Sequence, residues 1–169
     1  MAKKLQLWFP VRYWMISQKF GENLLPIYKE LGLKGHNGWD FAVEGGKPVR
    51  ATHAGTVVLA GEDGLSGYVV VVRTNEPFEY GDKEAYYKTI YAHLEPNIPV
   101  RAGQMVDIGD VLGYADTTGA AEGLHLHFGL KPQLKGESDW QWFNLEQSNG
   151  YLGAIDPTPN FNNYFAQDA

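Results

Sequence analysis

Between Gly35 and Leu130 glycine and turn residues repeatedly interrupt the chain, leaving short runs rich in β-branched and aromatic residues. Runs of this kind predict strands over 39–43, 49–52, 56–60, 68–73, 86–94, 111–115 and 124–130. Glu44-Gly45-Gly46-Lys47, Gly61-Glu62-Asp63-Gly64 and Thr117-Thr118-Gly119 supply the turns, where glycine reaches positive φ at little cost. The 20 glycines would be expensive in helices, so the pattern reads as all-β. Residues 74–85, with Pro77, Gly81 and four acidic side chains, read as a solvated hairpin loop.

A chain of 169 residues builds one domain with a sizeable core. We divide it into a lead-in over 1–35, a β core over 36–130 and a C-terminal extension over 131–169 that wraps the core. In the lead-in, Phe9 to Arg12 reads as an edge strand or extended segment and Gln18 to Gly21 as a turn. A short helix is predicted after them, capped by Asn23, carrying Leu24, Leu25, Ile27, Tyr28 and Leu31, and ended by Gly32. The amino terminus has a basic start but no apolar stretch of signal-peptide length, and no run approaches the length that spans a bilayer. Export is therefore expected through host lysis or assembly into a larger particle, which leans toward a phage origin. The net charge of −6 argues against nucleic acid or an anionic membrane as partner, since both need a basic surface.

The chain has no cysteine, so a metal site must use His, Asp or Glu. Four of its five histidines stand in strand ends or adjoining loops: His36, His93, His125 and His127. His125 and His127 flank Leu126 in a predicted strand and point the same way, whereas on a helix they would diverge. His36 and Asp40 share a face in either geometry, and the glycine between them favours a loop feeding a strand. An imidazole nitrogen and a carboxylate oxygen are both zinc ligands, and a third His would leave the fourth position to water, as hydrolysis requires. His53 has no partner at ligand spacing and reads as a packing or surface residue. Trp39, between His36 and Asp40, belongs on the opposite face of the strand, and the aromatic residues in general read as core before groove.

Taken together, His36-x-Gly-x-Asp40, Tyr91-Ala-His93-Leu and His125-Leu-His127-Phe, in that order within an all-β chain, resemble the LytM/lysostaphin-type zinc endopeptidases that cut peptidoglycan peptides. The likeness covers roughly Phe9 to Leu130 and takes in the segments 46–51, 54–58, 100–106 and 111–113. Ile155-Asp156-Pro157 resembles the close of such domains. This resemblance implies mainly antiparallel sheets arranged as a β-sandwich or barrel-sandwich hybrid, with a short N-terminal helix and an irregular C-terminal tail. It implies one Zn2+ per chain held by His36, Asp40 and His127, with His93 and His125 as catalytic histidines and no further cofactor. Peptidoglycan stem peptides or cross-bridges are the implied substrate, and the cell wall the place of action. In two places the chain departs from the pattern: Gly119 to Gly123 replaces a Ser-Thr-Gly-Pro run, and Gly129 stands where Glu is common. Both alter the groove wall and neither removes a ligand.

Three other readings are weaker. A non-catalytic activator module on the same scaffold would typically lack ligands that are intact here. A biotinyl or lipoyl carrier hairpin over 100–113 lacks the lysine at its turn, and a zinc deaminase would need paired cysteines.

Overall fold

A computed structural model describes residues 2–12, 15–121 and 123–161. In chain order the elements are β1 (Ile16–Gln18), α1 (Ile27–Glu30), β2 (Trp39–Ala42), β3 (Pro48–Arg50), β4 (Gly55–Glu62), β5 (Tyr68–Arg73), β6 (Phe78–Tyr80), β7 (Lys83–Leu94), β8 (Met105–Val106), β9 (Val111–Tyr114), β10 (His125–Lys135) and β11 (Trp142–Asn144). All pairings are antiparallel. One sheet runs β1-β2-β10-β7-β5-β4-β8, with β6 added to β7 and β11 to β10, and β3 and β9 form a second, two-stranded sheet. The all-β, mainly antiparallel expectation holds.

Alternation along the central strands gives the large sheet two different faces. On one, Leu126, Phe128 and Leu130 of β10 join Tyr91 of β7, Val70 and Val72 of β5, and Trp39 and Phe41 of β2 in the main core. The second sheet adds Val49 and Leu112 to this cluster. On the other face Val69, Val71 and Ala92 form a smaller cluster with Val58 and Ile90 against it.

Residues 2–12 form no strand, yet Leu5, Leu7, Phe9 and Val11 are all buried in the main core. Hydrogen bonds from Trp8 N to Thr52 O and Leu7 N to Asn160 O, 2.9 Å each, tie this extended segment to distant parts of the chain. At the other end Phe161 stacks on both Phe9 and Trp39, with centroids 4.9 and 4.8 Å apart. Asn160 Nδ2 donates to Leu5 O at 2.9 Å.

Several local expectations need correction. The helix is one turn, not two: its N-cap is Pro26 rather than Asn23, and Leu24 is exposed. A residue preceding proline is pushed out of the α region, so Leu25 cannot carry helix across Pro26. Gly32 does end it, at φ 71°. The 74–85 segment is a hairpin but not wholly solvated, because β6 pairs with the start of β7 and Ala85 is buried. Strand β10 continues past Leu130 to Lys135, where β11 pairs with it. Within the predicted turn at 18–21, Gln18 ends β1 while Gly21 has φ 82°. Among the described residues no helix is long and apolar enough to cross a membrane.

Candidate metal centre

Strands β2 and β10 lie side by side with His127 opposite Asp40, His125 opposite Ala42 and Phe128 opposite Trp39. Directly opposed residues share a face. Trp39 and Phe128 therefore enter the core together, while Asp40, His125 and His127 emerge together on the other side, as the alternation predicts. Gly38 permits the close approach: a Cβ there would stand 2.1 Å from Phe128 O. His36 precedes β2 in a loop, buried, with the Tyr28 ring of α1 beside it at a centroid distance of 5.9 Å.

His36 Nε2, Asp40 Oδ1 and His127 Nδ1 form a tight triangle. The distances are 3.0 Å from His36 to Asp40, and 3.1 Å from His127 to each of the other two. Tetrahedral bonds of 2.0–2.2 Å would set such edges at about 3.3–3.6 Å, so the triangle is close to the size that one ion spans. Proton placement argues the same way. His36 Nδ1 lies 3.2 Å from Lys19 O, and a carbonyl only accepts, so Nδ1–H donates and a neutral ring turns its Nε2 lone pair toward the triangle. A proton on His127 Nδ1 would relieve part of the crowding of acceptors; a divalent cation satisfies all three.

Two further imidazoles border this triangle. His125 Nδ1–H donates to Gly123 O at 2.9 Å, and its Nε2 stands 3.7 Å from Asp40 Oδ1. His93 Nδ1–H donates to Thr118 O at 2.7 Å, and its ring lies 4.9 Å from that of His125 and 6.3 Å from that of His127. The position of His93 depends on an irregularity in β7. The ladder with β5 passes from Tyr68↔Leu94 to Val70↔Tyr91, so Ala92 and His93 oppose the single residue Val69. His93 itself adopts φ 64°, one of two non-glycine residues at positive φ among those described. A bulge of this kind re-aims a side chain.

The electrostatics follow from packing. Burial alone would raise the Asp40 carboxyl, but hydrogen bonds and charge from His127 and His36 outweigh it and hold the group well below the usual carboxylate range. Burial pushes His93 and His127 down, opposed by the Thr118 carbonyl in the first case and by Asp40 in the second. Unbound, these rings therefore favour the neutral form that a metal or a proton can occupy.

All five residues singled out in the sequence meet at this one place. His53 does not: it is buried, with Nδ1–H donating to Ala54 O at 2.9 Å and Nε2 2.8 Å from Thr89 Oγ1. Sequence reasoning missed the backbone carbonyls of Lys19, Thr118 and Gly123 that orient three of the rings. A carbonyl carries no residue-type signal by which it could have been found.

The profile of peptidase family M23 matches residues 34–139, a stretch that contains all five of these side chains. The peptidoglycan DD-endopeptidase ShyA of Vibrio cholerae is 36% identical over 118 residues, 69% of this chain and 25% of that protein. Among solved structures, the catalytic domain of lysostaphin from Staphylococcus simulans superposes with a TM-score of 0.65 at 24% identity, covering 86% of this chain and 90% of that one. A zinc-containing peptidase from Vibrio cholerae gives a TM-score of 0.60 at 29% identity over 78% of this chain and 37% of that one. The chain spans about a quarter of the length of these curated relatives. With the family's span covering well over half the chain, and the fold and motifs in agreement, this protein belongs to peptidase family M23.

Proposed function

We propose that the chain is a zinc-dependent endopeptidase that hydrolyses peptide bonds in the stem peptides or cross-bridges of peptidoglycan, and so acts at the cell wall. The observation that carries this reading is the convergence of His36, Asp40, His127, His93 and His125 on one face of the sheet. His36, Asp40 and His127 would hold the ion through Nε2, Oδ1 and Nδ1. Zinc bound there supplies Lewis acidity toward a carbonyl and acidifies water. The remaining chemistry belongs to the two free imidazoles. With Nδ1–H committed to a backbone carbonyl, each presents Nε2 as the proton acceptor. One Nε2 takes the proton of the attacking water; a protonated ring then donates to the developing oxyanion or to the leaving amine. No carboxylate base is required. ShyA, by its name, acts on peptidoglycan, which supports this substrate class.

The test uses purified protein, with metal content measured on the sample offered to sacculi of several peptidoglycan chemotypes and products identified by mass spectrometry. The reading expects one zinc per chain, new peptide ends, loss of activity on chelation and recovery on adding zinc. A folded, zinc-loaded protein that releases no peptide ends from any chemotype would overturn it in favour of the activator-module reading.

A further inference from the structure

The sheet face that carries the metal centre continues along β10, β7 and β5 in rows that the ladder registers define. His127 stands opposite Ala92, and Asp40 opposite His127, in the first row. Two positions along, Gly129 is opposite Ile90 and Ile90 opposite Val71. Two further, Lys131 is opposite Lys88 and Lys88 opposite Arg73. The rows thus run metal ligands, then an apolar step, then three cations side by side on adjacent strands. At about 3.3 Å per residue, the cationic row lies about 13 Å from the His127 row, the length of four extended residues.

Like charges directly opposite on neighbouring strands destabilise a sheet. Three in a row call for a counter-charge, yet among the described residues none of Arg73, Lys88 and Lys131 has a carboxylate oxygen within 4.0 Å. Arg73 is held in place by neutral groups: its Nε donates to Gln133 Oε1 at 2.9 Å and its guanidinium lies 3.8 Å over the Trp142 ring. All three side chains are partly exposed, so a ligand can reach them. Burial, then the charge of Lys88, pushes the Lys131 ammonium down to about 8, with Asp63 opposing. Lys88 is lowered by burial and by Arg73. In a chain of net charge −6, this is a local concentration of positive charge on the sheet face that carries the metal centre.

We propose that Arg73, Lys88 and Lys131 form a carboxylate-binding subsite. It selects acidic stem peptides, which keep free side-chain or terminal carboxylates, over uncharged glycine bridges. The apolar row of Gly129, Ile90 and Val71 accommodates the small side chains lying between the scissile bond and that carboxylate. A salt link to a carboxylate in this partly dry setting is stronger than one in open water. This proposal rests on the endopeptidase reading for the reaction itself, and the two can fail separately.

The experiment compares wild type with Lys88→Gln and Lys131→Gln on two synthetic cross-linked peptides, identical except that one bears a free carboxylate and the other its carboxamide. Both substitutions remove like-charge repulsion, so urea unfolding should show the fold undiminished. The expected result is KM raised about tenfold on the carboxylate peptide, with kcat little changed and the carboxamide peptide unaffected. Equal loss on both peptides, or no loss on either, overturns the subsite. Calorimetric binding of the carboxylate peptide separates the two readings. Binding that Lys88→Gln abolishes, without any cleavage by wild type, sinks the enzymatic reading alone. A third arm titrates a glycerol-phosphate polymer, and affinity that depends on Lys88 and Lys131 for the polymer but not the peptide also overturns the subsite.

Discussion

His125 and His127 are two residues apart on one strand face, and the fold gives them different partners. His127 turns Nδ1 into the triangle with His36 and Asp40, whereas His125 commits Nδ1–H to Gly123 O and keeps Nε2 at the rim, 3.7 Å from Asp40 Oδ1. On the proposed assignment, His127→Ala or Asp40→Ala should lose stoichiometric zinc and activity together. His93→Ala and His125→Ala should keep zinc but lose turnover by about 100- to 10,000-fold. Metal analysis and product release on the same samples check both halves, and normal cutting by His93→Ala would remove His93 from the mechanism. The spacing of these residues was legible from the chain, since period-2 alternation carries it. The route by which His93 arrives was not: a bulge and φ 64° in β7 depend on pairing with β5, and no neighbouring residue announces them.

At the level of elements, legibility tracked how local the cause was. Strands bounded by glycine turns were readable, and so was the stop at Gly32. The length of β10 was not: residues 131–133 extend the ladder with β7 through a proline, and Leu134 and Lys135 are held as strand only by β11, which lies beyond a polar segment. Gly38 shows an element boundary serving the site. A Cβ there would meet Phe128 O at 2.1 Å and His127 Cε1 at 2.9 Å, and the first contact is backbone within a ladder. Gly38→Ala must push β2 away from β10, separating Asp40 from His127 while leaving every proposed ligand in the sequence. We expect a stability loss of about 1–3 kcal/mol, as in overpacked cores, and zinc affinity lowered at least tenfold. Urea midpoints together with competition titration against a zinc chelator would show this; wild-type affinity would mean that the sheet can absorb the methyl group elsewhere.

The whole molecule depends on contacts that join distant parts of the chain, and these were the least legible. Leu5, Leu7 and Phe9 bury themselves beside Phe161 without any ladder to mark them as core. His53 is another such case. Thr89 Oγ1, against its Nε2, stands 3.0 Å from the Tyr91 hydroxyl, which lies 2.8 Å from Thr52 Oγ1, forming a buried polar chain beneath the sheet. Burial pushes the His53 imidazole down to about 4 from 6.5, against a raising hydrogen bond to Ala54 O. Below pH 6.5 the unfolded chain takes up a proton that the folded protein refuses, so folding stability falls with pH until the folded state also protonates near 4. The full effect amounts to about 3 kcal/mol, all of it present above pH 6.5 and gone by pH 4. In His53→Gln no group titrates at that place, so the variant should begin less stable at pH 7 and lose less on acidification. Urea midpoints of both proteins, measured free of metal from pH 7 to 4, should therefore converge. Parallel curves would mean that His53 is protonated in the folded state, with the Thr89 contact reorganised to admit the charge.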